Sequence, residues 1–158
     1  EGERSPIWDP HARGVFFGLT PMHGRSQMMR AVVEGVCYAL RSVLDVFRED
    51  YDLDELRIIG GGARSVLWSQ VLADVCRARL HTLSAPSEHG TALGAALAAG
   101  VGVGIFESLP QAAETIAERE TVEPTEESSA PYEKLYDFYR SLYPEMKDAF
   151  ARLDGLEG

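Results

Sequence analysis

The chain has 158 residues, 45% of them hydrophobic and 25% charged, which suits an ordinary globular domain with one sizeable core. Its formal charge of −10 argues against a nucleic-acid-binding face and against an anchor on anionic membranes. The two cysteines, Cys37 and Cys76, sit in apolar helical patterns without CxxC spacing, so buried free thiols and a cytoplasmic setting are expected rather than a disulfide or a zinc site.

Residues 1–20 are punctuated by Pro6, Pro10, Gly14 and Gly18 around a short apolar Val15-Phe16-Phe17, a loop passing into a strand or turn. The first nine residues carry no start methionine and no helix-opening pattern, as expected of a piece cut from a longer chain. No charged-then-apolar leader is present, and no apolar run reaches bilayer length. Met29, Val32, Val33, Val36, Leu40, Val43, Leu44 and Phe47 then recur at helical spacing, laying one apolar stripe along a helix from about Ser26 to Glu49. Charged Arg30, Glu34, Arg41, Asp45 and Arg48 mostly fall off that stripe.

Leu56 to Ile59 reads as a short strand running into Gly60-Gly61-Gly62-Ala63, and a helix follows from about Ser65 to Arg77. A second strand, Leu80 to Leu83, leads into a Ser84-Ala85-Pro86 turn and a helix of small residues and leucine from Gly90 to Ala99. Strand, glycine turn, helix, strand, helix is an α/β unit with a parallel strand pair. A further helix is expected from about Leu109 to Arg119, a polar loop over Thr121 to Pro131, and a last helix from about Tyr132. Pro144 would kink that helix or open a new turn. The acidic residues Glu118, Glu120, Glu123, Glu126 and Glu127 read as a solvated face. The C-terminal tyrosines, at helical spacing, read as half-buried core.

The sharpest local feature is Gly60-Gly61-Gly62-Ala63-Arg64-Ser65. Three glycines at a strand-to-helix junction remove the Cβ atoms that would hold a ligand off the main chain, and Ser65 is a favourable N-cap. The helix points its unpaired N–H groups back toward the turn, which suits an anionic or ribose-bearing ligand. No Gly-Lys-Ser/Thr follows at P-loop spacing, and Ser65 stands where a GxGxxG fingerprint needs glycine. Nucleotide binding and a purely structural tight turn both remain open on this spacing. A Gly62→Val change is expected to block the ligand's approach and spare the fold.

Gly90, Gly94 and Ala98 give a flat helix face that suits either core packing or a close contact between domains. His11, His23, His81 and His89 lack metal-ligand spacing, so no metal site is assigned. Asp74 reads as a helix-surface or capping residue, and Trp8 and Trp68 as packing anchors.

Gly14-Val15-Phe16-Phe17-Gly18-Leu19, then Gln27-Met28 after seven residues, then Ala31-Val32-Val33-Glu34, resembles a signature of the FGGY carbohydrate kinases. Glu3 to Gly14 resembles the preceding segment in xylulokinases, gluconokinases and glycerol kinases, and Gly60 to Ser65 with Trp68, Gln70, Ala73 and Asp74 resembles their adenosine motif. Thr91 to Ala96 looks like the family's small-residue interdomain helix, and Tyr132 to Tyr143 like a xylulokinase tail.

The resemblance implies an actin-like, ribonuclease-H-like α/β fold, with residues 1–158 as the carboxy-terminal, nucleotide-binding domain truncated on its N-terminal side. It implies ATP and Mg²⁺ as cofactors and phosphoryl transfer to a sugar hydroxyl, D-xylulose first and gluconate next. Gly61 and Gly62 would approach ribose and α-phosphate through the main chain, with Gly60, Ala63 and Ser65 shaping the turn. Val66 stands where glycerol kinases place an Asn near adenine, so that polar contact is lost. The first phosphate loop, the sugar-binding residues and the catalytic Asp belong to the amino-terminal domain of such enzymes. No catalytic residue is therefore assigned in this chain, which is expected to be inactive alone. Sugar and ATP would be engaged together with that domain. A homodimer stays open, as does the rival reading of a non-catalytic association module.

Overall fold

The computed structural model describes residues 2–83 and 90–157. The expected Ser84-Ala85-Pro86 turn and His89 lie outside them. Two compact units form, one from residues 1–53, 74–76 and 125–158, the other from 54–73 and 77–124.

The first unit holds two long helices, α1 (Arg25–Arg48) and α5 (Glu126–Glu157). The Gln27 side chain accepts a hydrogen bond from the Gly24 amide at 3.1 Å and so closes the open N-terminus of α1. Tyr38 of α1 meets the rings of Tyr132, Tyr136 and Tyr139 of α5 at 5.3 to 6.1 Å between centroids. Cys37, Leu44, Val75, Cys76 and Phe150 complete this core. Both thiols are free and buried, as expected. Burial pushes the Cys37 thiol up to about 12 and that of Cys76 up to about 11.

Here α1 departs from the amphipathic pattern. It buries Cys37, Tyr38, Arg41 and Leu44, while Met29, Val32, Val36, Leu40 and Phe47 of the apolar stripe are exposed.

The N-terminal segment is fastened to the same unit. Glu3 and Asp9 exchange backbone hydrogen bonds of 2.8 Å, and the Glu3 carboxylate accepts from the amides of Ser5, Ile7 and Trp8. Tyr143 of α5 donates to Asp9 at 2.7 Å, and Arg13 donates to Asp154 at 2.9 Å. Trp8 is not the expected packing anchor: held at φ 56 in this tight loop, it is 76% exposed.

In the second unit, β1 (Glu55–Ile58), β2 (Arg79–Leu83) and β3 (Glu118–Val122) form a sheet in the order β1-β2-β3. The expected parallel pair is present, Leu56 facing Leu80 and Ile58 facing Thr82, with α2 (Val66–Cys76) between its strands in sequence. β3 joins β2 antiparallel, with a bulge between Thr82 and Leu83. Leu80 and Thr82 point into the core with Val71, Leu72, Ala73, Ala78 and Ala112. The opposite sheet face carries ion pairs, Arg79 with Glu55 at 2.7 Å and Glu123 at 2.6 Å, and His81 with Glu118 at 3.0 Å. The five acidic residues near β3 are exposed, as expected, and two of them complete these pairs.

Two sequence expectations are corrected in this region. The helix from Leu109, α4, stops at Glu114, where the Thr115 hydroxyl donates to the Ala112 carbonyl at 2.7 Å, and residues expected to continue it form β3. α5 also starts six residues before Tyr132, within the expected loop. Its first turn is anchored by Asp74, which accepts from the Thr125 amide at 2.7 Å and hydroxyl at 3.1 Å. Asp74 is accordingly buried, not a surface residue. Glu126 and Glu127 suit the positive end of the helix. Pro131 and Pro144 both lie inside α5, each withholding one backbone donor without ending it. No helix among the described residues is long and apolar enough to cross a membrane.

Candidate functional site: the glycine turn

The turn after β1 is built by three glycines with three different duties. Gly60 sits at φ +99, a conformation that L side chains rarely adopt, so the chain reverses there only because Gly60 lacks a Cβ. A Cβ built on Gly61 would meet nothing within 4 Å, so the main chain at this position is open to an incoming group. On Gly62 the same Cβ would lie 3.0 Å from the Trp68 ring. A side chain at Gly62 would therefore press on the Trp68 ring, a contact that the sequence did not indicate. The space beside Gly62 is filled by Trp68, which is the packing anchor the sequence suggested.

Past Gly61 the chain makes one tight 3₁₀ turn, Gly62–Arg64. The Arg64 amide donates to the Gly61 carbonyl at 3.2 Å, and the Ser65 amide to the Gly62 carbonyl at 3.0 Å. Ser65 then caps α2: its hydroxyl oxygen accepts from the Trp68 amide at 3.3 Å and its carbonyl from the Ser69 amide at 2.9 Å. The first turn of α2 therefore points back at the glycine turn with the partial positive charge of a helix N-terminus. Ala63 is half-buried beside it, and Ser65 is exposed. Val66 is 82% exposed, an apolar side chain at the mouth of the turn.

The five singled-out residues, Gly60 to Ala63 and Ser65, are thus contiguous in space as in sequence. Those behind them serve the scaffold. Gln70 donates to the Glu123 carbonyl at 3.0 Å, and Asp74 anchors α5. Three histidines are held locally: His11 pairs with Asp154 at 2.9 Å, His23 accepts from the Thr20 amide at 2.9 Å, and His81 joins the sheet's ion pairs.

In α3 (Gly90–Gly102), Leu93, Leu97 and Val101 form the half-buried side, and Thr91, Gly94, Ala95 and Ala98 are exposed. A Cβ on Gly90 would run into Ile59, the residue after β1, whereas one on Gly94 would meet nothing within 4 Å. Core packing among the described residues thus accounts for Gly90 and not for Gly94.

The model of the C-terminal domain of the FGGY family of carbohydrate kinases matches residues 1–103. The xylulose kinase of Escherichia coli (strain K12) is 37% identical over 146 residues, 92% of this chain and 30% of that protein. The gluconokinase of Bacillus licheniformis is 32% identical over 154 residues, 96% of this chain and 30% of that protein. Among solved structures, the ligand-bound xylulose kinase from Lactobacillus acidophilus superposes with a TM-score of 0.85 at 27% identity, over 96% of this chain and 31% of that one. The chain spans about a third of the length of the relatives it matches.

Proposed function

Because the chain belongs to the FGGY family of carbohydrate kinases, as its C-terminal domain, and shares the actin-like fold of those enzymes, we propose that residues 1–158 form the nucleotide-binding part of an ATP-dependent sugar kinase. The open main chain at Gly61, between the forced turn at Gly60 and the capped start of α2, is the observation that carries this reading. Ribose and α-phosphate would rest against Gly61 and the backbone around it, with no side chain between. Gly60 sets the direction of the turn, while Gly62 and Ala63 support it from the Trp68 side. Ser65 fixes the helix start, whose dipole favours phosphate. The exposed Val66 offers an apolar edge to the base, with no hydrogen bond.

Mg²⁺ would arrive with the nucleotide, held chiefly by phosphate oxygens. Phosphoryl transfer also needs a base for the attacking hydroxyl and groups that place the sugar. We assign none of these to residues 1–158, so this chain alone is proposed to turn over no sugar. In the complete enzyme, acting in the cytoplasm, the acceptor would be D-xylulose. Higher identity to the xylulose kinase (37%) than to the gluconokinase (32%) supports that order and makes gluconate the runner-up.

Gly61→Val in the complete kinase tests the site. ATP affinity should fall at least tenfold, about 1.4 kcal/mol or more, with an unchanged thermal melt. Undiminished affinity would remove the glycine turn from the nucleotide site. A coupled ADP-release assay over xylulose, gluconate, glycerol and ribulose tests the acceptor: turnover should be fastest on xylulose, and a gluconate maximum would reverse the assignment.

A further inference from the structure

A run of three glycines is among the least constrained stretches a chain can carry, because glycine gives up more conformational freedom on folding than any other residue. A turn that is to receive a ligand through its main chain therefore needs something outside the run to hold one shape. Gly60 does not supply it, since glycine permits a φ of +99 without enforcing it. Gly61 does not supply it either, because a Cβ there would meet nothing within 4 Å among the described residues.

Trp68 does. A Cβ on Gly62 would lie 3.0 Å from Cδ2 and Cε3 of the indole and 3.1 Å from Cε2. Only the face of the ring presents these three atoms together, so the bare Cα of Gly62 is seated over the indole face. The space left for a Cβ is tighter than the 3.4–4 Å of ordinary contact. Trp68 is itself held from the other side. Its amide donates to the Ser65 hydroxyl oxygen at 3.3 Å, and the Ser65 amide donates to the Gly62 carbonyl at 3.0 Å. Turn, cap and ring thus close on one another, with Gly62 gripped by its carbonyl and by the face of the indole.

We infer that Trp68 is a positioning residue of the nucleotide site: its indole face fixes Gly62, and through Gly62 it sets the main chain at Gly61 in the shape that receives ribose and α-phosphate. The inference rests on the nucleotide-binding reading of the glycine turn and adds the residue that pre-forms it. Trp68 acts through Gly62, not by contact with the nucleotide. A loose turn has to be ordered when ligand arrives, and that ordering weakens affinity; a turn already seated on a ring has lost its freedom on folding. The chemical step takes place at the γ-phosphoryl, away from this contact, so the effect belongs to nucleotide binding and not to turnover.

Steady-state kinetics of the complete kinase test it, with ATP affinity from calorimetry on the same preparations. Trp68→Leu removes the flat face and should raise KM for ATP about fivefold or more, with kcat and the KM of the best sugar acceptor within about twofold of the unsubstituted enzyme. Trp68→Phe restores a flat face and should recover most of that loss. Gly62→Ala reads the contact itself. It should raise KM for ATP when Trp68 is present, and raise it less or lower it in the Trp68→Leu background, where the methyl has room. A residue that serves stability alone would lower the thermal melt in Trp68→Leu and leave KM for ATP in place. That result overturns the inference, as do additive effects of the two substitutions. Where Trp68→Leu fails to fold, Trp68→Phe, Gly62→Ala and their double variant measure the same coupling. ATP binding weakened by Gly61→Val but untouched by Trp68→Leu refutes the positioning role alone. A complete kinase that binds no ATP, or binds it equally well with Gly61→Val, refutes the nucleotide reading and this inference with it.

Discussion

Gly61 and Gly62 are neighbours in one motif, and the direction of a missing Cβ gives them opposite uses. Gly62→Val presses a branched side chain into the Trp68 ring, so it should destabilise the second unit by about 1–3 kcal/mol in denaturant unfolding, the usual cost of overpacking. Gly61→Val should leave that unfolding midpoint in place. The bare turn was legible in the sequence, because three successive glycines ahead of an N-cap serine leave main chain uncovered at a helix start. The separate duties of the three glycines were not, since the direction of each Cβ follows from backbone angles that no residue name specifies.

Asp9 offers a second test at this scale. The Tyr143 hydroxyl, and after it the His11 amide, hold its carboxyl below the ordinary carboxylate range. A carboxylate depressed in the folded state contributes stability that is complete above its unfolded pKa of about 3.9 and is lost as pH falls through the folded value. Tyr143→Phe should therefore lower the melting temperature at pH 7 and do so by a smaller margin at pH 3. An equal loss at both would show that Asp9 does not carry the effect.

At the scale of elements, what the sequence missed was set by partners distant in the chain. β3 reads Glu-Arg-Glu-Thr-Val, a poor strand by composition, and it forms because β2 presents an edge and Arg79 and His81 present counter-charges. α5 begins at Glu126 because Asp74, far back along the chain, accepts both donors of Thr125. A window of neighbouring residues contains neither fact. The helices with their own signals, α1 and α2, begin and end within a residue of expectation; Ser65 marks the start of α2 by itself. Ser65→Ala should accordingly cost about 1 kcal/mol of stability, read from the urea midpoint. Tyr38 supplies a test of opposite sign. Its buried hydroxyl has no hydrogen-bond partner among the described residues, while its ring packs on three other tyrosines. Tyr38→Phe keeps the ring and removes the orphaned group, so the melt should hold or rise, by up to about 1 kcal/mol. A marked loss would mean that the hydroxyl is satisfied in solution.

For the whole molecule, family and fold were legible because the signature residues and the glycine turn occur in order and at the family's spacing. The choice of sugar was not, since a kinase selects its acceptor with residues that contact it, and none of those is assigned within residues 1–158. The contribution proposed for this chain is a stretch of backbone at Gly60 to Ala63, steered by one forced turn and one capped helix. A structure of the complete protein with a non-hydrolysable ATP analogue tests that claim most directly. The account predicts ribose and α-phosphate in van der Waals contact with the main chain at Gly61, ahead of Ser65. A nucleotide seated elsewhere, with the glycine turn facing solvent, would contradict it.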